Sequence, residues 1–125
     1  MSIGASIFIG TAASIVSNLV VHFKNKSNLD DTLDVFPCHG VGGAFGMLAT
    51  GIFATTIVNN SGANGLLFGG TFLFLNHLFA LVIVIVFSAI VSCLLYQVTN
   101  LILKMRVDAE AENIGLDMSQ HGESL

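Results

Sequence analysis

The sequence predicts an all-α membrane protein, with three transmembrane helices and a short polar tail. Three observations lead there. Charged residues make up only 10% of the chain while 54% are hydrophobic, and mean hydropathy is +0.84; soluble domains carry about 25% charged residues. Three apolar stretches reach the roughly 20 residues that a helix needs to cross a ~30 Å hydrocarbon core. The charges, finally, are gathered between and after those stretches. A chain of 125 residues is ordinarily one soluble domain, but this one reads as a few membrane spans with an appendage.

Residues 1–106 form the membrane part, with spans at about 2–21, 35–58 and 71–103, and residues 107–125 form the tail. Ser2 to Val21 is apolar or small apart from Ser14, Ser17 and Asn18. Its opening, MSIGASIF, lacks Lys and Arg and its apolar run is long for a secretory signal, so it reads as an anchor or an internal helix. Val35 to Val58 is the second span. Leu66 to Leu103 exceeds one perpendicular crossing, so the third span is placed from Thr71 as a long, tilted helix. NNSGANG, Asn59 to Gly65, is a turn, because Asn, Ser and Gly accept the backbone angles that turns require. Past Arg106 the composition changes to DAEAENIGLDMSQHGESL; Val107 to Asn113 can form a short helix that Gly115 stops.

Orientation follows from the basic residues. Lys24 and Lys26 follow the first span, Lys104 and Arg106 follow the third, and the NNSGANG turn carries no charge. Three crossings put all four cations on one face, which the positive-inside bias assigns to the cytoplasm. The N-terminus is therefore expected outside and the tail inside, in a multi-pass protein of the inner or plasma membrane in contact with lipid. No basic patch or aromatic–basic interleaving is present, which argues against nucleic acid. Cys38 and Cys93 lack CxxC or metal-type spacing and read as buried free thiols. No metal spacing links the four histidines, and an enzyme, a metal or a cofactor is not expected.

The residue that calls for explanation is His39, in DVFPCHGVGGAFG, at the entrance to a run without Asp, Glu, Lys or Arg as far as Lys104. At helical spacing His39, Gly42, Gly43, Gly46 and Thr50 share a face, and Gly42 and Gly46 satisfy the small-xxx-small pattern by which membrane helices approach closely. His39 lies about 7.5 Å along the axis from Asp34 at 1.5 Å per residue. One reading gives it a single interhelical hydrogen bond for packing. The other makes it a polar post in a pathway, because imidazole donates from one nitrogen, accepts on the other and can relay a proton. Asp34 reads as a charge complementing the helix N-terminus, as part of an inner vestibule, or both. Asn76 and His77 read as interfacial hydrogen-bonding groups or as transport groups, and Asp30 and Asp31 as a solvated loop. His22 and His121 are expected to be exposed, and Phe72, Phe74, Phe79 and Phe87 to be lipid-facing or packing bulk.

Two stretches carry a family resemblance. DDTLDVFPCHGVGGAFGMLATGIFA, Asp30 to Ala54, resembles the tenth-helix region of ammonium transporters of the Amt/Mep/Rh superfamily, and GLDMSQHGE, Gly115 to Glu123, resembles their cytoplasmic C-terminal motif. The resemblance implies that the chain corresponds to the last three of eleven helices, plus the tail, of a helical bundle that assembles as a homotrimer with a narrow pore in each subunit. It implies transport of ammonium by the parent protein, with deprotonation, separate passage of ammonia and proton, and a pair of histidines as relay. By motif, His39 matches the second histidine of that pair and Asp34 the aspartate at the cytoplasmic pore mouth. Gly40, Gly42 and Gly43 match packing glycines beside the pore, and Gly46 continues the same small-residue face. Gly115, Leu116, Asp117, His121, Gly122 and Glu123 match the regulatory tail, which the resemblance brings into contact with neighbouring subunits and a PII-type signalling protein.

The first pore histidine, the aromatic recruitment site and the phenylalanine gate of the family belong to earlier helices. Pro37-Cys38 stands where many members have Gly-Val, His77 where Gln is common, and Phe87 where Trp is common. The chain is thus expected to be an incomplete transporter by itself. The alternative is a standalone three-helix membrane module for assembly or regulation, without transport activity.

Overall fold

A computed structural model describes residues 1–122; Glu123, assigned above to the tail motif, lies outside them. Among the described residues every regular element is helical. Helix α1 spans Ile3–Lys24. Its N-terminal N–H groups lack intrahelical partners, and Ser2 Oγ accepts one of them, from Ala5, at 3.3 Å. Twenty-two residues rise about 33 Å, a membrane thickness. The helix ends where Lys26 N–H turns back to the Phe23 carbonyl and Ser27 N–H to that of Lys24.

The second segment is helical in two forms. A π-helical turn, Phe36–Val41, leads directly into α2, Gly42–Phe53. The sequence carries this span to Val58, but α2 stops at Phe53 because the backbone turns extended at Ala54. The following residues spend their hydrogen bonds on the loop instead. Asn64 Oδ1 accepts from both the N–H and the hydroxyl of Thr56, at 2.9 and 3.1 Å, and Gly65 N–H donates to the Ala54 carbonyl at 2.8 Å. Asn59 makes the turn itself, its side-chain oxygen accepting from Ser61 N–H and its carbonyl from Gly62 N–H. A short 3₁₀ turn, Leu66–Phe68, leads by way of Gly69 to α3, Thr71–Ile102.

Helices α1 and α3 are long and apolar enough to cross a membrane. The π turn and α2, six and twelve residues, together rise no more than about 27 Å and form the shortest of the three segments.

The chain divides into two compact units, Met1–Ile85 and Val86–Leu125. In the first, α1 packs against the π turn and α2, and α2 against the 3₁₀ turn. Phe8 and Phe53 join α1 to α2, with ring centroids 5.5 Å apart and tilted by 52°, a favourable aromatic geometry. In the second unit Asn100 Oδ1 accepts Met105 N–H at the end of α3. Ion pairs Lys104–Asp108 and Arg106–Glu112 flank a short helix α4, Ala109–Ile114. Gly115, at φ 96°, ends α4, and a further π-helical turn, Asp117–His121, follows. Ser119, which the sequence reading passed over, ties that turn back to α4 by donating to the Gly115 and Ala111 carbonyls.

Candidate functional site

The site is built at the head of the second segment. A helix start must find partners for its first N–H groups, and here each is accounted for. Asp31 accepts the N–H of Val35 on one carboxylate oxygen and that of Phe36 on the other, both at 2.9 Å. Pro37 has no N–H and is fully buried, the place in a helix where proline costs least. Cys38 N–H reaches the Asp34 carbonyl at 3.0 Å. The loop is in turn fastened to α1. Lys24, the last residue of that helix and almost buried, pairs with the Asp34 carboxylate at 2.6 Å and donates to the Asp31 carbonyl.

Asp31 and Lys24 are the residues fixing this helix start that the sequence reading missed. Two adjacent aspartates in a polar loop read as solvated, yet Asp31 is the cap of the span. The signal available was its position four residues before an apolar run that starts with Val35-Phe36-Pro37. The Phe36 N–H above all, with the Val35 N–H and the Lys24 charge, holds the Asp31 carboxyl below the ordinary carboxylate range, against an opposing desolvation. Asp34, immediately before the helix start, adopts φ 54°, in the left-handed region, and its carboxylate faces Lys24. Asn and Asp are the non-glycine residues that tolerate that conformation best.

His39 stands on the π turn, exposed. The turn is closed by Gly42 N–H, which donates to the Pro37 carbonyl five residues back as well as to that of His39. Closure over five residues winds more chain into the turn than an α-helix does. The three-and-four spacing that would align His39 with Gly42 and Gly43 therefore does not hold there, and the glycines separate in role. A Cβ on Gly42 would meet Ser17 Oγ of α1 at 3.0 Å, so Gly42 is the close contact between the two segments. A Cβ on Gly40 would touch only the Phe36 ring, at 3.4 Å, while Gly43 and Gly46 face open space. Thr50 turns its hydroxyl to the Gly46 carbonyl at 2.8 Å.

A glycine that the sequence did not single out, Gly51, carries the seam between α2 and α3: a Cβ there would lie 3.1 Å from Phe74 Cα. Across the same seam His77 Nδ1 lies 2.8 Å from the Met47 carbonyl oxygen. A carbonyl only accepts, so Nδ1 carries the hydrogen of this contact. His77 is thus an interhelical hydrogen-bonding group, half-buried. His22 and His121 are exposed. Cys38 and Cys93 are exposed on helical surfaces where burial was expected. In the tail, Gly115 and Gly122 take left-hand-side backbone angles, φ 96° and 68°, around Leu116, Asp117 and His121.

Comparison with known proteins places this arrangement in context. Residues 1–125 match the model of the Ammonium Transporter Family. An ammonium transporter of Bacillus subtilis is 42% identical over 120 residues, covering 95% of this chain and 30% of that protein. Ammonium transporter Amt1 of Archaeoglobus fulgidus is 36% identical over 123 residues, covering 98% of this chain and 31% of its own length. Ammonium transporter 1 of Dictyostelium discoideum is 37% identical over 122 residues, covering 98% and 26%. The chain spans about three tenths of the length of these curated relatives.

Proposed function

The chain belongs to the ammonium transporter family, and from that premise we propose that it supplies part of an ammonium pathway across the membrane, with His39 as a proton-passing group in it. The observation that carries this reading is the exposed imidazole on a widened, fully capped turn at the head of a membrane segment. π turns recur at functional sites, and ionisable residues in membrane segments mark substrate and proton routes.

The chemistry is simple. Ammonium loses a proton to reach the apolar passage as ammonia, since a charge at mid-membrane is costly. A neutral imidazole accepts that proton on one nitrogen and releases the proton held on the other. His39 performs this exchange with a second group from outside the chain, and Asp34 with Lys24 lines the inner mouth. A complete pathway needs further helices, which pack on the open faces at Gly43 and Gly46 and on the exposed apolar surface of α3. The assembled protein is a homotrimer with its N-terminal side outside and the tail in the cytoplasm. There Gly115 to Gly122 contacts a neighbouring subunit or a PII-type signalling protein.

Uptake of methylammonium tests the reading. A chimera in which this segment replaces the matching segment of the Bacillus subtilis relative is expected to show saturable uptake, and cells making the 125-residue chain alone none. An inactive chimera that is folded and in the membrane would overturn the transport reading. Saturable uptake by the chain alone, lost on His39→Ala, would overturn the need for further helices.

A further inference from the structure

The capped start of the second segment has a consequence for His39. Its backbone hydrogen bonds leave little freedom: Asp31 takes two N–H groups, Pro37 has none to place, Cys38 is bonded to Asp34, and Gly42 closes the π turn on Pro37. Pro37 is wholly buried against its surroundings, so the turn cannot rotate about its own axis without unburying it. Asp31 is itself held, through its carbonyl, by the Lys24 ammonium at the end of α1, and the same ammonium binds Asp34. One cation thus fixes both ends of the short Asp31–Asp34 loop, and that loop fixes the residue at which the helix begins.

We infer that Asp31, anchored by Lys24, is a positioning residue: it sets the π-helical start of the second segment and thereby the placement of the His39 ring. The inference concerns His39's orientation and draws its functional meaning from the relay proposed above. If Asp31 no longer accepts from Val35 and Phe36, those N–H groups must find other carbonyls. The nearest route is to begin the helix one residue differently. A one-residue change in a turn closed over five residues converts it toward α-helical closure, and His39 swings round the axis with respect to α1.

The test uses the 125-residue chain in lipid nanodiscs, with amide exchange and the ¹⁵N resonances of the His39 ring and the Gly42 amide as readouts. Asp31→Ala is expected to speed exchange at Val35 and Phe36 about tenfold, the usual size of a lost acidic cap, and to move the His39 and Gly42 resonances while those of Asn64 stay in place. Asp31→Asn, with one carbonyl oxygen instead of two, is expected to keep only one of the two amides slow. Lys24→Met is expected to move the His39 resonances in the same direction, and Lys24→Arg to restore them. Faster exchange at Val35 and Phe36 with unmoved His39 and Gly42 resonances would overturn the inference, leaving Asp31 a cap and nothing more. So would unchanged exchange in Asp31→Ala. If Asp31→Ala does not fold, the Asp31→Asn and Lys24 variants decide by the same readouts. None of these measurements involves transport, so a failed ammonium reading and a failed positioning role give different results.

Discussion

Helices α2 and α3 are neighbours in sequence and opposites in design. α3 runs 32 residues without a break, has no buried residue, and along it only His77 makes a hydrogen bond to another helix. α2 has 12 residues, begins in a π turn, ends in an extended residue, and is tied at its head to Lys24 through the loop and at its tail to Asn64 and Gly65. A helix that only has to fill a bilayer needs apolar length, which α3 has in excess, about 48 Å. The second segment, which carries His39 on its π turn, is instead shorter and fixed at both ends. The difference sets apart a segment held at both ends from one that only spans, and it is on the held segment that the proposed His39 role rests.

The contrast can be broken most strongly at the seam. Gly51→Leu puts a side chain where the Phe74 backbone already stands. Overpacking of this kind costs typically 1–3 kcal/mol, and since the opposing atom is backbone the helices themselves must part. A markedly lower thermal unfolding midpoint of the 125-residue chain in detergent is expected, with the same change at Gly46, which faces open space in this chain, far milder. Equal effects at the two positions would contradict the seam.

A smaller effect is expected at His77. His77→Ala removes the hydrogen bond to Met47, worth about 1 kcal/mol between membrane helices, whereas His77→Gln keeps a donor that can reach the same carbonyl. Stability in detergent should follow the order wild type, Gln, Ala; an Ala variant as stable as the Gln variant would show that the contact carries no weight.

The smallest expected effect is that of acid on the head of α2. The Asp31 carboxyl lies below the ordinary carboxylate range because its charged form accepts the Phe36 and Val35 N–H groups and sits near Lys24. A depressed value means that the contribution is complete above the ordinary range and fades only as pH falls through the lowered value. Amide protection at Val35 and Phe36 should therefore persist at mildly acidic pH and disappear below the range where a free aspartate titrates. Loss of protection near neutrality would point to a different group.

Much of this was legible in the sequence. The apolar runs of α1 and α3 are long and uninterrupted, and length with hydropathy is what a bilayer selects, so both helices are found within a few residues of where the sequence puts them. The Gly115 stop follows from a residue that accepts φ 96°. The interior of the second segment was not legible. The residues from Thr55 to Val58 are as apolar as a helix requires, but Asn64, eight residues on from Thr56, offers them a competing acceptor. A π turn has no compositional signature, and it undid the simple glycine face by changing the spacing on which that face was counted. Asp31 escaped because its partners are backbone N–H groups, which look alike at every position in a sequence.

The central claim is that His39 passes protons in an ammonium pathway. The most direct measurement is the ammonium-dependent proton current of the chimera carrying this segment, reconstituted in a planar bilayer, with and without His39→Ala. The account predicts a current in the parent chimera that the substitution removes or reduces by roughly a hundredfold or more, on the order of what a positioned acid–base group contributes. A His39→Ala chimera with undiminished proton current would contradict it.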